Sequence, residues 1–346
     1  MDPYARELAR IDGVSVLETD VYEREAFGLS SWSPAALRRY GRGVRFIRAL
    51  EHLDGPVHLP NQHLGRYAVG LQTPYTITIH DLFRYVDGLG LGPTAIARPT
   101  RRDRRLLAAD VAGAQGAAHL ITPSQYVADD VRRMLGPRHV PPIAVIPLGF
   151  DPAIFHPGLV RPPARPYVLY VGSHQRRKNL PSLLAGVREL VSRRGYGDLE
   201  LVLAGRVDTD DMRATESLIG RLNLRGHVRA TGPVALSGLA DLYRGACCLV
   251  QLSTREGFGL TPLEALGCAC PVVVSDVGAL AEIYGTVAST VDPGSPGEVA
   301  DAIQNLLSDG EERRDRIESG LAFASARTWD AMRVQTAAFY SDCFPS

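Results

Sequence analysis

Short apolar, β-branched runs alternate with longer amphipathic ones along almost the whole chain. That alternation argues for βα units stacked around parallel sheets. The strands it predicts are "VSVLE" (14–18), "PVHLP" (56–60), "YTITIH" (75–80), "HLITPS" (119–124) and "PIAVIPLG" (142–149). Further along come "YVLYVGS" (167–173), "LELVLAG" (199–205), "VRATG" (228–232), "CCLVQLS" (247–253) and "PVVVSD" (271–276). Helices are expected between them. The proline-rich stretch "FDPAIFHPGLVRPPARP" (150–166) has no period and reads as a linker. The pattern predicts an α/β protein of two lobes facing a cleft: residues 1–152, a linker at 153–166, and 167–327. A final helix-like run, 328–346, is expected to cross back to the first lobe.

Composition narrows the function. At 346 residues the chain is long enough for two domains, and 45% apolar with 22% charged residues is ordinary for a folded protein. The 38 basic and 38 acidic residues balance, so no global field recruits nucleic acid. Of the five cysteines, Cys247, Cys248, Cys268 and Cys270 fall in apolar runs and read as interior thiols of a reducing compartment. The Cys268-to-Cys270 spacing is not a zinc pattern, and no metal is expected. No apolar run reaches the length of a membrane span, and "MDPYARELARIDG" does not read as a signal peptide. A cytoplasmic location is expected.

Candidate chemistry concentrates in the second half. In "YVLYVGSHQRRKNLPSLLAGVREL" a buried strand runs into a turn at Gly172 and then a helix, with Asn179 expected as its N-cap and Pro181 in its first turn. A helix N-terminus beyond a strand's carboxyl end favours anions. Arg177 and the chain's single lysine, Lys178, stand immediately before it. A guanidinium there grips phosphate oxygens in pairs and an ammonium acts as a mobile point charge.

The stretch "STREGFGLTPLEALGCACPVVVSD" places Glu256 and a Gly257-Phe258-Gly259 turn at the end of a strand. A helix follows, its start written by Thr261 as N-cap, Pro262 and Glu264, which would form a capping box. That box accounts for Glu264 locally but leaves Glu256 unexplained. Glycines there let backbone N–H groups approach a ligand, and a carboxylate on each side suits acceptance from sugar hydroxyls.

"EGFGLTPLE" resembles the E-x7-E motif of family 4 retaining glycosyltransferases, and "GSHQRRKN" resembles their phosphate loop. "VRATGPV", "DLYRGA", "SDVGALAEI", "VIPLGFDPAIFHP" and "ITIHDL" fall in the family's order. The resemblance implies a GT-B fold of two Rossmann-like lobes and transfer of a sugar from a nucleotide donor, GDP- or UDP-linked, without a cofactor. It implies catalytic roles for His80, Arg177, Lys178 and Glu256. Glu256 with the backbone of Gly257, Phe258, Gly259 and Leu260 would hold the donor sugar. Glu264 would bind the ribose, Gly172 would sit in the phosphate loop, and Gly232 and Val234 would face the base. The acceptor would be a saccharide, small-molecule or lipid-linked. An epimerase or phosphorylase of the same fold, or a non-catalytic sugar-nucleotide-binding subunit, is the alternative.

In the first lobe, His80 and Asp81 end a strand, where a ligand contact or a simple backbone hydrogen bond would suit His80. His58, Asn61 and His63 in "HLPNQH" are candidate acceptor-side residues, and Ser124 reads as a helix N-cap. Members of the family open on a strand and a Gly-Gly loop before a helix like "YARELAR", whereas this chain starts at that helix. The first lobe is therefore expected to lack both, and a product from an upstream start to be more active. The arginines of 38–51 and 98–110 form either a solvated helix face or a peripheral contact with anionic lipid. The acids of "DTDDM" (208–212) read as helix N-terminal charges rather than a metal site.

Overall fold

The structure, a computed structural model, describes residues 3–15, 45–53, 55–83, 85, 100–136, 139–308 and 310–345. The chain divides into two compact units, Met1–Pro147 with Arg333–Ser346, and Leu148–Met332. No helix among the described residues is long and apolar enough to cross a membrane.

The first unit holds helix α1 (Pro3–Leu8), strand β1 (Val57–Leu59), a 3-10 helix (Gln62–Tyr67), β2 (Tyr75–Thr78), α2 (Arg101–Gln115), β3 (His119–Thr122), α3 (Gln125–Leu135) and β4 (Ile143–Val145). Its strands form one parallel sheet in the order β1-β2-β3-β4. Ile77, Ile79 and Leu120 lie at the centre of its core. Thr100 and Asp103 cap α2 reciprocally, and the Ser124 hydroxyl accepts from Val127 N, as expected of an N-cap. Helix α2 lies so close to the 3-10 helix that a Cβ on Gly113 would fall 2.0 Å from the Gly65 carbonyl oxygen. Of the strand expected at 14–18, Val14 and Ser15 carry no regular structure, and 16–18 lie outside the described residues. So do 38–44 and 98–99 of the arginine-rich segments. Arg101, Arg104 and Arg105 are exposed on α2.

The second unit contains β5 (Tyr167–Val171), α4 (Leu180–Arg193), β6 (Glu200–Ala204), α5 (Thr209–Arg221), β7 (Val228–Gly232), α6 (Leu236–Gly245), β8 (Cys248–Gln251), α7 (Leu260–Gly267), β9 (Val272–Ser275), α8 (Gly278–Tyr284), β10 (Ser289–Val291), α9 (Pro296–Leu307) and α10 (Glu311–Ser325). The last helix, α11 (Trp329–Cys343), begins here and from Arg333 belongs to the first unit. The sheet is parallel, in the order β10-β9-β8-β5-β6-β7. Its central strands are continuous runs of buried apolar residues because helices cover both faces. The chain winds from β5 outward through β6 and β7, then returns to β8 on the other side and winds outward again. The order reverses between β5 and β8, and ligands of open α/β sheets bind beyond the carboxyl ends of such a pair.

Three expectations are corrected. Strand β10 was not foreseen, since three residues inside "TVASTVDP" are too few to show a period. Cys247 is half-buried rather than interior, because it stands just before β8 enters the sheet; Cys248, Cys268 and Cys270 are buried, and all five thiols are free. The capping box at α7 does not form. The N-cap is Gly259 in a left-handed conformation (φ 89°), with no side-chain cap, and Glu264 is turned to a tertiary partner instead. The acids of 208–212 do sit where expected: the Asp208 carboxylate caps α5, and Asp210 and Asp211 lie in its first turn.

Candidate functional site

The loops after β5 and β8 meet at the reversal point. Beyond β5, Gly172 (φ 149°) turns the chain, and residues Arg176–Lys178 form a single 3-10 turn before α4. Asn179 occupies the N-cap position but in left-handed geometry, without the side-chain bond expected of it. Its Nδ2 instead donates to the Pro293 carbonyl at 2.6 Å, tying the turn to the loop after β10. The turn is fixed on its other side by Thr254, whose backbone N–H donates to the Arg177 carbonyl at 2.8 Å. The loops after β5, β6 and β7 are stitched together by glycine. Gly172 N donates to Ala204 O, Gly205 N donates to Gly232 O, and a Cβ on Gly205 would meet the Gly172 carbonyl at 2.8 Å.

This architecture brings three predicted residues onto one atom. Lys178 Nζ donates to Glu256 Oε1 at 2.6 Å, and Arg177 Nη1 lies 3.0 Å from the same oxygen. Burial alone would raise the Glu256 carboxyl, but Lys178 and then Arg177 outweigh it and hold it below the ordinary range. Two uncharged neighbours, absent from the sequence-based expectations, complete the set. Gln251 Nε2 donates to Glu256 Oε1 at 3.3 Å and to Ser253 Oγ at 2.9 Å. A lone glutamine ending an apolar strand gives no periodic signal. Only its distance of five residues from Glu256 at one strand end could have flagged it.

The second carboxylate behaves oppositely. Glu264 Oε2 accepts from the wholly buried Tyr243 hydroxyl at 3.0 Å, yet burial pushes its carboxyl up to about 7. Among the described residues no cation offsets the burial there. Tyr243 lies in "DLYRGA", which the sequence marked only as part of a pattern. Between the two carboxylates, the Tyr284 hydroxyl donates to the Gly259 carbonyl, and the buried Phe258 packs edge-on against the Tyr284 ring. Phe258 is thus core, and the chain offers backbone at this turn. Val234, beyond β7, is partly exposed.

The first-lobe candidates are bound within their own unit. His80 Nε2 meets the Pro60 carbonyl at 2.9 Å, and the His80 backbone N–H donates to Gln62 Oε1. Asn61 caps the 3-10 helix by accepting from His63 N at 2.9 Å, and Asp81 accepts from Phe83 N. His58 is held between Tyr340 on α11 and Thr78 on β2, the latter at 2.7 Å. Burial, then the neighbouring His80, pushes its imidazole down to about 3, so it is neutral over the physiological range.

The family described as Glycosyl transferases group 1 matches residues 154–322, and that described as Glycosyltransferase Family 4 matches residues 6–154. The chain belongs to the family 4 glycosyltransferases. It is 34% identical over 172 residues to the O-antigen chain mannosyltransferase B of Escherichia coli, covering 49% of this chain and 44% of that protein. To D-inositol 3-phosphate glycosyltransferase 2 of Catenulispora acidiphila it is 31% identical over 270 residues, covering 73% and 61%. The chain thus spans about half of the length of the curated relatives it matches. Among solved structures, sucrose-phosphate synthase from Thermosynechococcus elongatus superposes with a TM-score of 0.75 at 25% identity, over 92% of this chain and 82% of that one. Anabaena HepE, solved with UDP and glucose, shares the fold with a TM-score of 0.72 at 19% identity, over 87% and 82%.

Proposed function

We propose that the protein transfers a sugar from a nucleoside diphosphate donor to a saccharide or small polyol acceptor, with retention at the anomeric carbon. The observation that carries this reading is the meeting of Lys178 and Arg177 on Glu256 where the strand order of the second unit reverses. Among the described contacts two cations meet one carboxylate, an arrangement suited to sharing them with a diphosphate. As the bond from the sugar to phosphate breaks, its electron pair passes to the diphosphate, and Lys178 and Arg177 neutralise the charge that develops. The acceptor hydroxyl forms the new bond at the anomeric carbon and gives its proton to a departing phosphate oxygen. Glu256 and the Gly257–Leu260 backbone orient the donor sugar, and Glu264 accepts from ribose hydroxyls.

The solved complexes of HepE with UDP-glucose favour a uridine donor, and the guanosine donor that the family resemblance also implies stays in the comparison. Thermal stabilisation by UDP, GDP, ADP and dTDP tests the assignment. A ligand at 100 times its dissociation constant adds about 2.7 kcal/mol. One diphosphate is expected to stabilise the wild type and to lose most of that effect in Lys178→Ala. Stabilisation by none of the four, with no turnover of the corresponding sugar donors, would falsify the proposal.

A further inference from the structure

Gln251 closes β8 at 1% exposure, in a strand whose other residues, Cys248, Leu249 and Val250, are buried and apolar. Both N–H bonds of its amide are committed, one to Ser253 Oγ and one to Glu256 Oε1. Its Oε1, by contrast, is buried and meets no donor among the described residues. The opposite amide orientation would press that oxygen against a carboxylate, so the acceptor stays unmatched. An unmatched buried acceptor costs stability, and an apolar side chain of similar length would avoid the cost. What the fold loses at Oε1 therefore directs attention to what Nε2 does.

We infer that Gln251 is a positioning residue that keeps Glu256 ionised and in place while Lys178 and Arg177 turn to the diphosphate of a bound donor. The inference rests on the donor reading given above. In the present arrangement both cations sit on Glu256 Oε1. A diphosphate claims the same two groups. Among the described residues, the charged and titratable groups facing Glu256 are Lys178 and Arg177 from the turn before α4, Tyr170 from β5 and Tyr284 from α8. Once the cations are shared with phosphate, only buried phenols of those four face a buried carboxylate, which favours its protonation. A protonated Glu256 accepts less strongly from a sugar hydroxyl. The Gln251 amide, backed by Ser253, is a neutral donor anchored in the sheet, so it cannot follow the phosphate.

Gln251→Met and Gln251→Leu test this, using the carboxyl carbon NMR titration of Glu256, its signal assigned by loss in Glu256→Gln. Both variants are expected to match or exceed wild-type thermal stability. With UDP or GDP bound, the Glu256 midpoint should rise by about one pH unit relative to wild type. Transfer should show kcat lowered about tenfold with the donor KM within about twofold, and the acidic limb of its pH profile displaced upward. An unmoved midpoint in variants that fold overturns the inference, as does a loss of stability with the pH profile unchanged. Should the wild type bind neither nucleotide and turn over no donor, the functional reading falls separately. The titration of the unliganded protein then decides the inference: a smaller upward shift supports it and no shift overturns it.

Discussion

Two carboxylates, Asp110 in the first unit and Glu256 in the second, have much in common: each is met by an arginine, and their side chains are 1% and 10% exposed. Burial does not tell them apart. Their surroundings do. Asp110 sits mid-helix on α2 and pairs with Arg66 through both oxygens, Nε to Oδ1 at 2.7 Å and Nη2 to Oδ2. The Tyr85 hydroxyl adds 3.1 Å to Oδ2, and the His63 ring stacks on Tyr85. One guanidinium balances one carboxylate, and the cluster clamps the 3-10 helix onto α2. Glu256 stands in a loop at strand ends, and among its described contacts two cations converge on a single oxygen. Among the described contacts, an anion brought to Glu256 meets two cations on one carboxylate, whereas at Asp110 it meets one guanidinium already paired through both oxygens. A buried ion pair is thus a fastener when its charges cancel and a candidate binding site when they do not.

The comparison breaks if the two clusters respond alike to mutation. The largest effect is expected from Asp110→Ala, which leaves the Arg66 guanidinium enclosed without its partner. Urea denaturation should show a loss of about 3–5 kcal/mol. A loss under about 1 kcal/mol would mean that Arg66 finds water and that the first cluster is no fastener. Lys178→Ala should do the reverse. Arg177 and Gln251 still hold Glu256, so the fold should be nearly unchanged, while kcat for transfer falls by about 10²–10³-fold. A parallel loss of stability would remove the distinction between the clusters.

This contrast also explains what the sequence could reveal. The strands of both sheets other than β10 were legible because continuous apolar runs of that length have few other uses, and Lys178 and Glu256 were legible because each follows a strand closely. That the two would touch was not, because strand order is decided by helices packing on both faces rather than by local pattern. The spacing from Thr261 to Glu264 misled for a related reason. It satisfies a local capping rule, but Gly259 starts the helix and the Tyr243 hydroxyl supplies a tertiary partner for Glu264. His58, His80 and Asn61 had the same strand-end signature as the Glu256 cluster. The structure shows partners for them within their own unit, which no one-dimensional pattern foretells.

The first unit should carry a pH dependence of its own. His58 is neutral in the fold down to about 3 but titrates at an ordinary imidazole value when unfolded. Below that ordinary value the unfolded chain binds the additional proton, so stability is present above about 6.5 and falls as pH drops toward 3. His58→Gln should flatten that slope in melting curves recorded between pH 7 and 4.5. An unchanged slope would show that the Tyr340 and Thr78 contacts survive protonation.

The smallest effect sharpens the contrast within the second unit, between Glu256, held ionised by cations, and Glu264, held by one phenol. Burial raises the Glu264 carboxyl to about 7, above its unfolded value, so the folded state holds the proton between those values and stability falls as pH rises through them. Accepting two ribose hydroxyls favours the carboxylate form, so nucleoside diphosphate affinity should climb as pH rises through 7. The Tyr243 hydroxyl stabilises that carboxylate, and Tyr243→Phe removes it with little change in packed volume. Affinity at pH 7 should then drop about tenfold, with the midpoint of its pH dependence displaced upward. Calorimetric titration of the nucleotide across pH 6–8.5 reads both quantities. If affinity drops equally at every pH, Tyr243 shapes the pocket without governing the proton, and the two carboxylates differ in location more than in charge.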